Sequence, residues 1–599
     1  MKKYKYIFLI GAALIGFTSC EDLLNKTPQS QLTPEAYYRN DSDFQLATNP
    51  FYNNIIEKEP YEAQSDQCVK LTPTNRIRGG NSMSVPASGG GWDWYNVRAV
   101  NTILSFLEKC EDPVVVKKYS ALCKFFRAME YYTKVCDFGD VPWIDHELGS
   151  TDPLLYAPRD SREVVTAHMV EDIDEAIEGL PETYPDQHHY RATKWAALTL
   201  KSRFCLFEGT FRKYHGLNLE GHDYKFYLEQ AAAAAEKVID ESPHKLYTTG
   251  HPEKDYLNLF ANYDETKGPG EYILTIDYDL GRNMCHNATA VTLMVSQGGL
   301  SLTRKFVNAY LMADGSRFTD KPGWETMQFK EETAGRDPRL AQTIRTPGYK
   351  RINSSKVEGP SFTSSVTGYQ LVKFVMPADN PVNDKFGQSY NDMPIMRLAE
   401  VYLNFAEAKA ELGTLTQADL DKSVNLLRQR VGMPKLVLAE ANANPDWYLA
   451  SKEYGYPNVS GPNKGIILEI RRERAVELVE EGFRFNDLLR WKSGKSLEQA
   501  VSGMYFPGPG QYDLDGDGKA DVVLYLKGTP KPSVANAEIL LIGEELLLSE
   551  EDKGYVAPYK KISISFDEGR DYYLPIPIDD RTLNNNLAQN PGWADGLDF

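Results

Sequence analysis

Apolar residues along the chain recur mostly at helical spacing. Over 118–136 one face carries Tyr119, Leu122, Cys123, Phe126, Met129, Thr133 and Cys136, which predicts an amphipathic helix. It stops at Asp137-Phe138-Gly139-Asp140-Val141-Pro142, where Gly and Pro punctuate the pattern. A second helix fits 163–180, ended by Pro181. Thr193 caps a third through Glu208, with Gly209 as its expected stop. The Ala-rich run 227–243 predicts a fourth, with Pro243 at its end. Ile395, Leu398, Ala399, Tyr402 and Ala406 stripe another, closed by Gly413, and 418–431 supplies its partner. Strand signals are few, the clearest being 522–526.

Small Ala positions where paired helices would cross, with Pro after the second helix, resemble tetratricopeptide units, although no clean 34-residue period is visible. Between the helical regions lie stretches rich in Gly, Pro, Asn, Asp and aromatics, at 60–96, 244–300, 313–392, 440–462 and 503–570. Loops of this length are uncommon unless functional or structured in their own right. The expected fold is therefore mainly α: tetratricopeptide-like helix pairs form a superhelical scaffold, decorated by long irregular loops with few short strands.

The first residues, MKKYKYIFLIGAALIGFTSC, place three Lys before a short apolar run. This is the pattern of a secretory signal at 1–19. Phe17-Thr18-Ser19-Cys20 resembles a bacterial lipobox, so Cys20 is the expected lipidation site and 20–34 a lipid-anchored tether. Removing 1–19 takes the formal charge from −18 to −21. So acidic a chain argues against nucleic-acid partners. The other cysteines, at 68, 110, 123, 136, 205 and 285, form no CxxC pair and lie mostly in apolar helical contexts, where buried thiols are expected. The chain has 36 Tyr against 25 Phe and 8 Trp, an excess suited to half-wet aromatic surface.

Several longer segments point to one family. MPIMRLAEVYLNFAEAKAELG (393–413) has an Arg-x-x-Glu pair leading into an Ala-Glu-Ala helix. RRERAVELVEEGFRFNDLLRWKSGKSLE (471–498) carries Glu-Gly-x-Arg and Asp-Leu-x-Arg-Trp, and YYLPIPIDDRTLNNNLAQNPGW (572–593) ends in Gln-Asn-Pro-Gly-aromatic. With 123–144, 191–209 and the Cys20 start, these resemble the SusD/RagB family of Bacteroidetes outer-membrane lipoproteins over almost the whole mature chain. The resemblance implies an N-terminal helical region at 35–300 and a C-terminal region at 301–599. It implies a non-catalytic, surface-exposed binder, held to the outer membrane by lipid. Such a protein captures glycan and delivers it to a SusC-like TonB-dependent transporter barrel. By residue type and spacing, Glu473, Glu477, Glu481, Asp487, Arg490 and Trp491 are scaffold residues that fix helix–helix geometry.

Sugars present apolar CH faces and many hydroxyls, which proteins meet with exposed aromatics ringed by polar groups. The best local match is 75–101. There Arg76, Arg78 and Asn81 supply donors, and Trp92, Trp94 and Tyr95 follow a Gly-rich loop. One of Trp92 and Trp94, not both, is the expected platform; Trp92 or Tyr95 could instead start a helix leading to Asn101 as core. Tyr278, Arg282 and Asn283 form a second candidate and Trp324 a third. No HExxH, GxSxG, phosphate loop or Cys/His constellation is present. A protein-binding adhesin scaffold and a glycoside hydrolase are the alternatives.

One cation motif stands out in DLDGDGKADV (513–522). Asp513, Asp515 and Asp517 fall at positions 1, 3 and 5 of a calcium loop, with Gly518 at 6, the Lys519 carbonyl at 7 and Asp521 at 9. Position 12 is Leu524 rather than a bidentate Glu, and no helix clearly flanks the loop. The expectation is a structural calcium ion pinning a large loop over 513–521, not a sensor.

Overall fold

The structure, a computed structural model, describes residues 38–264, 270–294, 299–597 and 599. The signal segment, Cys20 and the tether lie outside the described residues. The helices used below are α1 (Asp41–Asn54), α2 (Tyr95–Leu107), α3 (Pro113–Phe138), α4 (Arg162–Gly179), α5 (Lys194–His215), α6 (Tyr224–Glu241), α7 (Leu398–Leu412), α8 (Val424–Arg430), α9 (Lys464–Glu477), α10 (Arg484–Arg490) and α11 (Ile578–Leu583). Two strands, β1 (Tyr272–Ile276) and β2 (Met393–Arg397), pair antiparallel. Farther along, β4 (Val522–Tyr525) pairs antiparallel with β3 (Gly510–Tyr512) and parallel with β5 (Glu538–Leu541).

Five of these helices start where side chains satisfy their free N–H groups. Asn40 and Asp43 form a capping box on α1, and Asp112, Ser161, Thr193 and Asp223 accept from the first turns of α3 to α6. Each long helix packs on the next: α2 on α3, α3 on α4, α4 on α5, α5 on α6, α6 on α7 and α7 on α9. This serial stacking is the helix-pair scaffold the periodicity predicts.

Gly209 departs from expectation. It does not end a helix but sits inside α5, which runs on to His215 and is closed by Gly216 in the left-handed conformation. A Cβ on Gly209 would lie 2.7 Å from Leu228 Cγ and 3.0 Å from the Leu228 backbone nitrogen. The missing side chain lets α6 approach α5.

The family-like segments meet in the core. Arg397, at the end of β2, reaches Glu271 and Glu477 at 2.8 Å and Glu481 at 2.7 Å. Arg430 of α8 joins Glu477 at 2.6 Å and Glu271 at 3.1 Å. Glu481 lies past the end of α9, after Glu480 and before Gly482, both with positive φ (62° and 81°). Glu407 of α7 accepts from Arg490 and from the Trp491 indole (2.7 Å), while Asp487 takes Arg474 at 2.9 Å. Among buried ion pairs this dense, removing one partner strands the other without solvent. Cys68, Cys123, Cys136 and Cys205 are buried free thiols, and Cys110 and Cys285 are half-buried.

Candidate binding cleft and acidic loop

The Gly-rich loop ahead of α2 positions the aromatics. Gly89, Gly90 and Gly91 all take positive φ (76°, 63° and 87°), which side-chain-bearing residues adopt at a cost. Lys134 of α3 donates to the Gly91 carbonyl at 2.8 Å. The turn folds Trp92 down until it is 5 % exposed, edge-on to Phe138 at 5.0 Å. Trp94 stands perpendicular to Trp92 at 5.3 Å and remains half-buried. Tyr95 opens α2 with 70 % of its surface in solvent.

These rings border an open cleft of about 480 Å³ between α2, the 142–157 segment and α11. Leu154, Leu155 and Leu583 contribute exposed apolar surface to it. Polar groups converge from Arg98, His146, Asp580 and Asn584. His146 bridges Asp145 at 2.7 Å and Asp152 at 3.0 Å. Those bonds raise the imidazole pKa and lower the Asp145 carboxyl, while the Leu154 amide and then His146 lower that of Asp152. The Asp580 carboxyl is raised, by partial burial and then by Asp579. Such a cleft offers rings and apolar edges to a sugar's CH face and scattered donors and acceptors to its hydroxyls.

The other sequence candidates are elsewhere. Trp324 is not an exposed platform: it is 7 % exposed, packed among Phe318, Tyr448 and Trp447. Tyr278 is buried against His286 at 4.6 Å, with its hydroxyl on the Lys58 carbonyl. Arg76 is half-buried in an ion pair with Asp137 at 2.7 Å and lies over Phe485. Arg78, Asn81, Arg282 and Asn283 are exposed but line no part of the cleft, and Arg282 is paired with Asp277 at 3.1 Å. Of the aromatic trio, Trp92 is thus the foundation, and Trp94 and Tyr95 are the presented rings. His146, Leu154 and the α11 side chains went unseen because no local pattern marks them. Asp580 and Tyr95 are far apart in sequence, and only folding brings them together.

In the acidic loop, carboxylate oxygens of Asp513, Asp515 and Asp521 come within 4.8 Å of one another. Backbone amides orient them: Gly516 and Gly518 donate to Asp513, and Leu514 and Asp515 to Asp521. Asp521 has a raised pKa, from burial and from the charges of Asp515 and Asp513. Three carboxylates supply part of the oxygen shell, about six to eight, that a calcium-type ion takes. Asp517 is not in this group; its carboxylate takes the Lys519 ammonium at 2.7 Å.

A serial helical scaffold presenting an open, aromatic-lined cleft defines a ligand-binding protein. The SusD family's sequence model matches residues 271–593, over half of the chain, and a second, described as starch-binding associating with outer membrane, matches 92–206. The chain therefore belongs to the SusD family, whose members are carbohydrate-binding proteins and not enzymes. One SusD-like protein of Formosa agariphila is 24 % identical over 545 residues, covering 84 % of this chain and 95 % of its own. Another from that organism is 24 % identical over 629 residues, covering 99 % and 100 %. A solved SusD-like carbohydrate-binding protein of Bacteroides fragilis shares the fold with a TM-score of 0.64 at 20 % identity, over 92 % of this chain and 100 % of that one. A second SusD-like protein from that organism gives 0.63 at 22 %, over 95 % and 100 %.

Proposed function

We propose that this protein captures glycan at the cleft between α2, the 142–157 segment and α11, and passes it to a TonB-dependent transporter barrel. A lipid on Cys20 holds it at the outer-membrane surface. The observation that carries the reading is Tyr95, a largely exposed ring set by the Gly89–Gly91 turn at the edge of an apolar-floored, polar-rimmed cleft. Support for outer-membrane association comes from the description of the family matching 92–206. Among the described residues no helix is long and apolar enough to cross a membrane; what supports Cys20 as the attachment is the lipobox-like Phe17-Thr18-Ser19-Cys20.

The test is affinity electrophoresis of the detergent-solubilised chain through gels containing candidate polysaccharides. Wild type is retarded by at least one, Tyr95→Ala and Trp94→Ala run faster, and no new reducing ends appear. Equal retardation of all three proteins, with folding intact, removes the cleft from the site. For the partner, mild detergent extraction should co-purify a barrel protein. For the anchor, radiolabelled palmitate should enter wild type and not Cys20→Ala.

Calcium is part of the same proposal. Asp513, Asp515 and Asp521 are its ligands, and its charge would offset the carboxylate repulsion that adds to burial in raising Asp521. Chelation should lower the melting temperature of wild type and leave Asp521→Asn unaffected; identical chelator responses would exclude the ion.

A further inference from the structure

Among the exposed aromatic rings outside this cleft, Trp447 is a tryptophan. Trp447 begins a short helical turn, Trp447–Ala450, and keeps 45 % of its surface in solvent. So much exposed indole has a hydrophobic cost. The ring's orientation is nevertheless fixed. Nε1 donates to Asp320 at 2.8 Å, the ring leans on buried Trp324 at 6.3 Å, and it meets Tyr448 edge-on at 5.8 Å and 88°. Tyr454, half-buried, stacks on Tyr448 at 4.5 Å and extends the aromatic cluster. A ring held this way loses little conformational entropy when something stacks on it.

Asp320, which holds the indole, also lines an open groove of about 400 Å³. That size falls in the usual range for small-ligand clefts, roughly 300–1,000 Å³. Its walls add Asp314, Arg317, Lys435 and Glu440. Arg317 is committed to Asp446 at 3.2 Å, and Lys435 reaches Asp421 only at 3.5 Å with 69 % of its side chain exposed. Asp314, Asp320 and Glu440 are exposed carboxylates. Arg428, Glu469 and Arg472 also line it but are buried in ion pairs, so its exposed charges are three carboxylates against Lys435, an acidic balance that repels sulfated or uronate sugars and accepts neutral ones.

We propose that Trp447 and the groove beside it form a second carbohydrate subsite, one that stacks a neutral pyranose on the indole and hydrogen-bonds its neighbour in the groove. The proposal extends the glycan reading of the Tyr95 cleft, yet the two sites share no lining residue.

The experiment titrates the detergent-solubilised full chain with neutral gluco-, manno-, galacto- and xylo-configured polysaccharides and their hexasaccharides, with a sulfated polysaccharide as control. Wild type, Tyr95→Ala, Trp447→Ala and the double variant are compared by affinity electrophoresis and calorimetry. The expected result is residual binding in Tyr95→Ala that Trp447→Ala lowers at least fivefold, largely restored by Trp447→Phe, with a hexasaccharide stoichiometry above one for wild type. Because loss of Trp447 uncovers Trp324, a Lys435→Ala/Glu440→Ala variant alters the groove while leaving the aromatic cluster intact; it should lower the residual binding about threefold. Abolition of binding by Tyr95→Ala alone overturns this subsite and leaves the first standing. Unchanged affinity in the Trp447 and groove variants also overturns it. A wild type that binds none of the neutral glycans overturns both.

Discussion

At the scale of single residues, four tryptophans show that exposure assigns their roles. Trp324 and Trp92 are buried, whereas Trp447 is open and Trp94 sits at a cleft edge. Trp324→Ala should therefore act on stability, at about 3–5 kcal/mol for a large-to-small aromatic change in a packed site. Urea denaturation would show it as a shifted midpoint, with glycan retention by the folded fraction little changed at the Tyr95 cleft. Tyr95→Ala should do the reverse: loss of about 1.4 kcal/mol of stacking, a tenfold weaker Kd, and a melting temperature within a degree or two of wild type. The sequence alone marks all four residues as aromatics near Gly or Pro. It does not separate them, because exposure depends on what packs from distant segments: Phe138 over Trp92, and Tyr448 and Phe318 around Trp324.

Among elements, the informative features are close approaches and buried charge. Gly209→Ala places a methyl within 2.7 Å of Leu228 Cγ and 3.0 Å of a backbone nitrogen in α6. The strain is of the overpacking kind, about 1–3 kcal/mol, measurable as a lowered urea midpoint. The converse, Gly216→Ala, strains only a left-handed cap with nothing within 4 Å, so its cost should be smaller. At the junction of α7 and α10, Glu407→Ala leaves Arg490 and the Trp491 indole without their shared acceptor. The expected loss is about 3–5 kcal/mol, and the double variant Glu407→Leu/Arg490→Met should recover much of it. A double variant as unstable as the single would refute the ion-pair account. The helix bodies and the Thr193 cap were legible, since periodicity and a Thr ahead of an apolar run are local. The role of Gly209 was not: a Gly near a helix end reads as a stop, and only its neighbour in α6 reveals it as a contact.

Over the whole molecule, stability should depend on pH through buried histidines on different elements. His215, His244 and His286 are each lowered to about 4, first by burial. His286 is held neutral between the Asn391 carbonyl and the Ala288 amide. An unfolded histidine titrates near 6.5, so below that pH the unfolded chain binds protons the folded one refuses. Stability is then unaffected by these groups above about pH 7 and falls as pH drops from 6.5 toward 4, by up to about 1.4 kcal/mol per pH unit for each. Glu407, lowered to about 2 by Arg490 against the opposing effect of burial, adds a second loss: its contribution is full above 4.5 and disappears as pH falls toward 2. Urea midpoints at pH 7.5 and 5.0 should differ clearly, with the lower value at pH 5.0. His286→Asn should flatten the difference, and a pH-independent midpoint would contradict this assignment.

What the sequence determined by itself was whatever is encoded over neighbouring residues: helix periodicity, caps, the scaffold segments that mark the SusD family, and the alternating aspartates of 513–521. These survive without tertiary information because 3.6-residue spacing and turn chemistry are local. The cleft was decided only by tertiary structure. Its rings come from 94–95, its His146 from a loop after α3 and its Asp580 from near the chain end, and exposure exists only once distant segments have packed. The acidic loop shows the same division on a small scale. Spacing nominated Asp517 with its neighbours, but the folded turn brought Asp513, Asp515 and Asp521 together and gave Asp517 to Lys519.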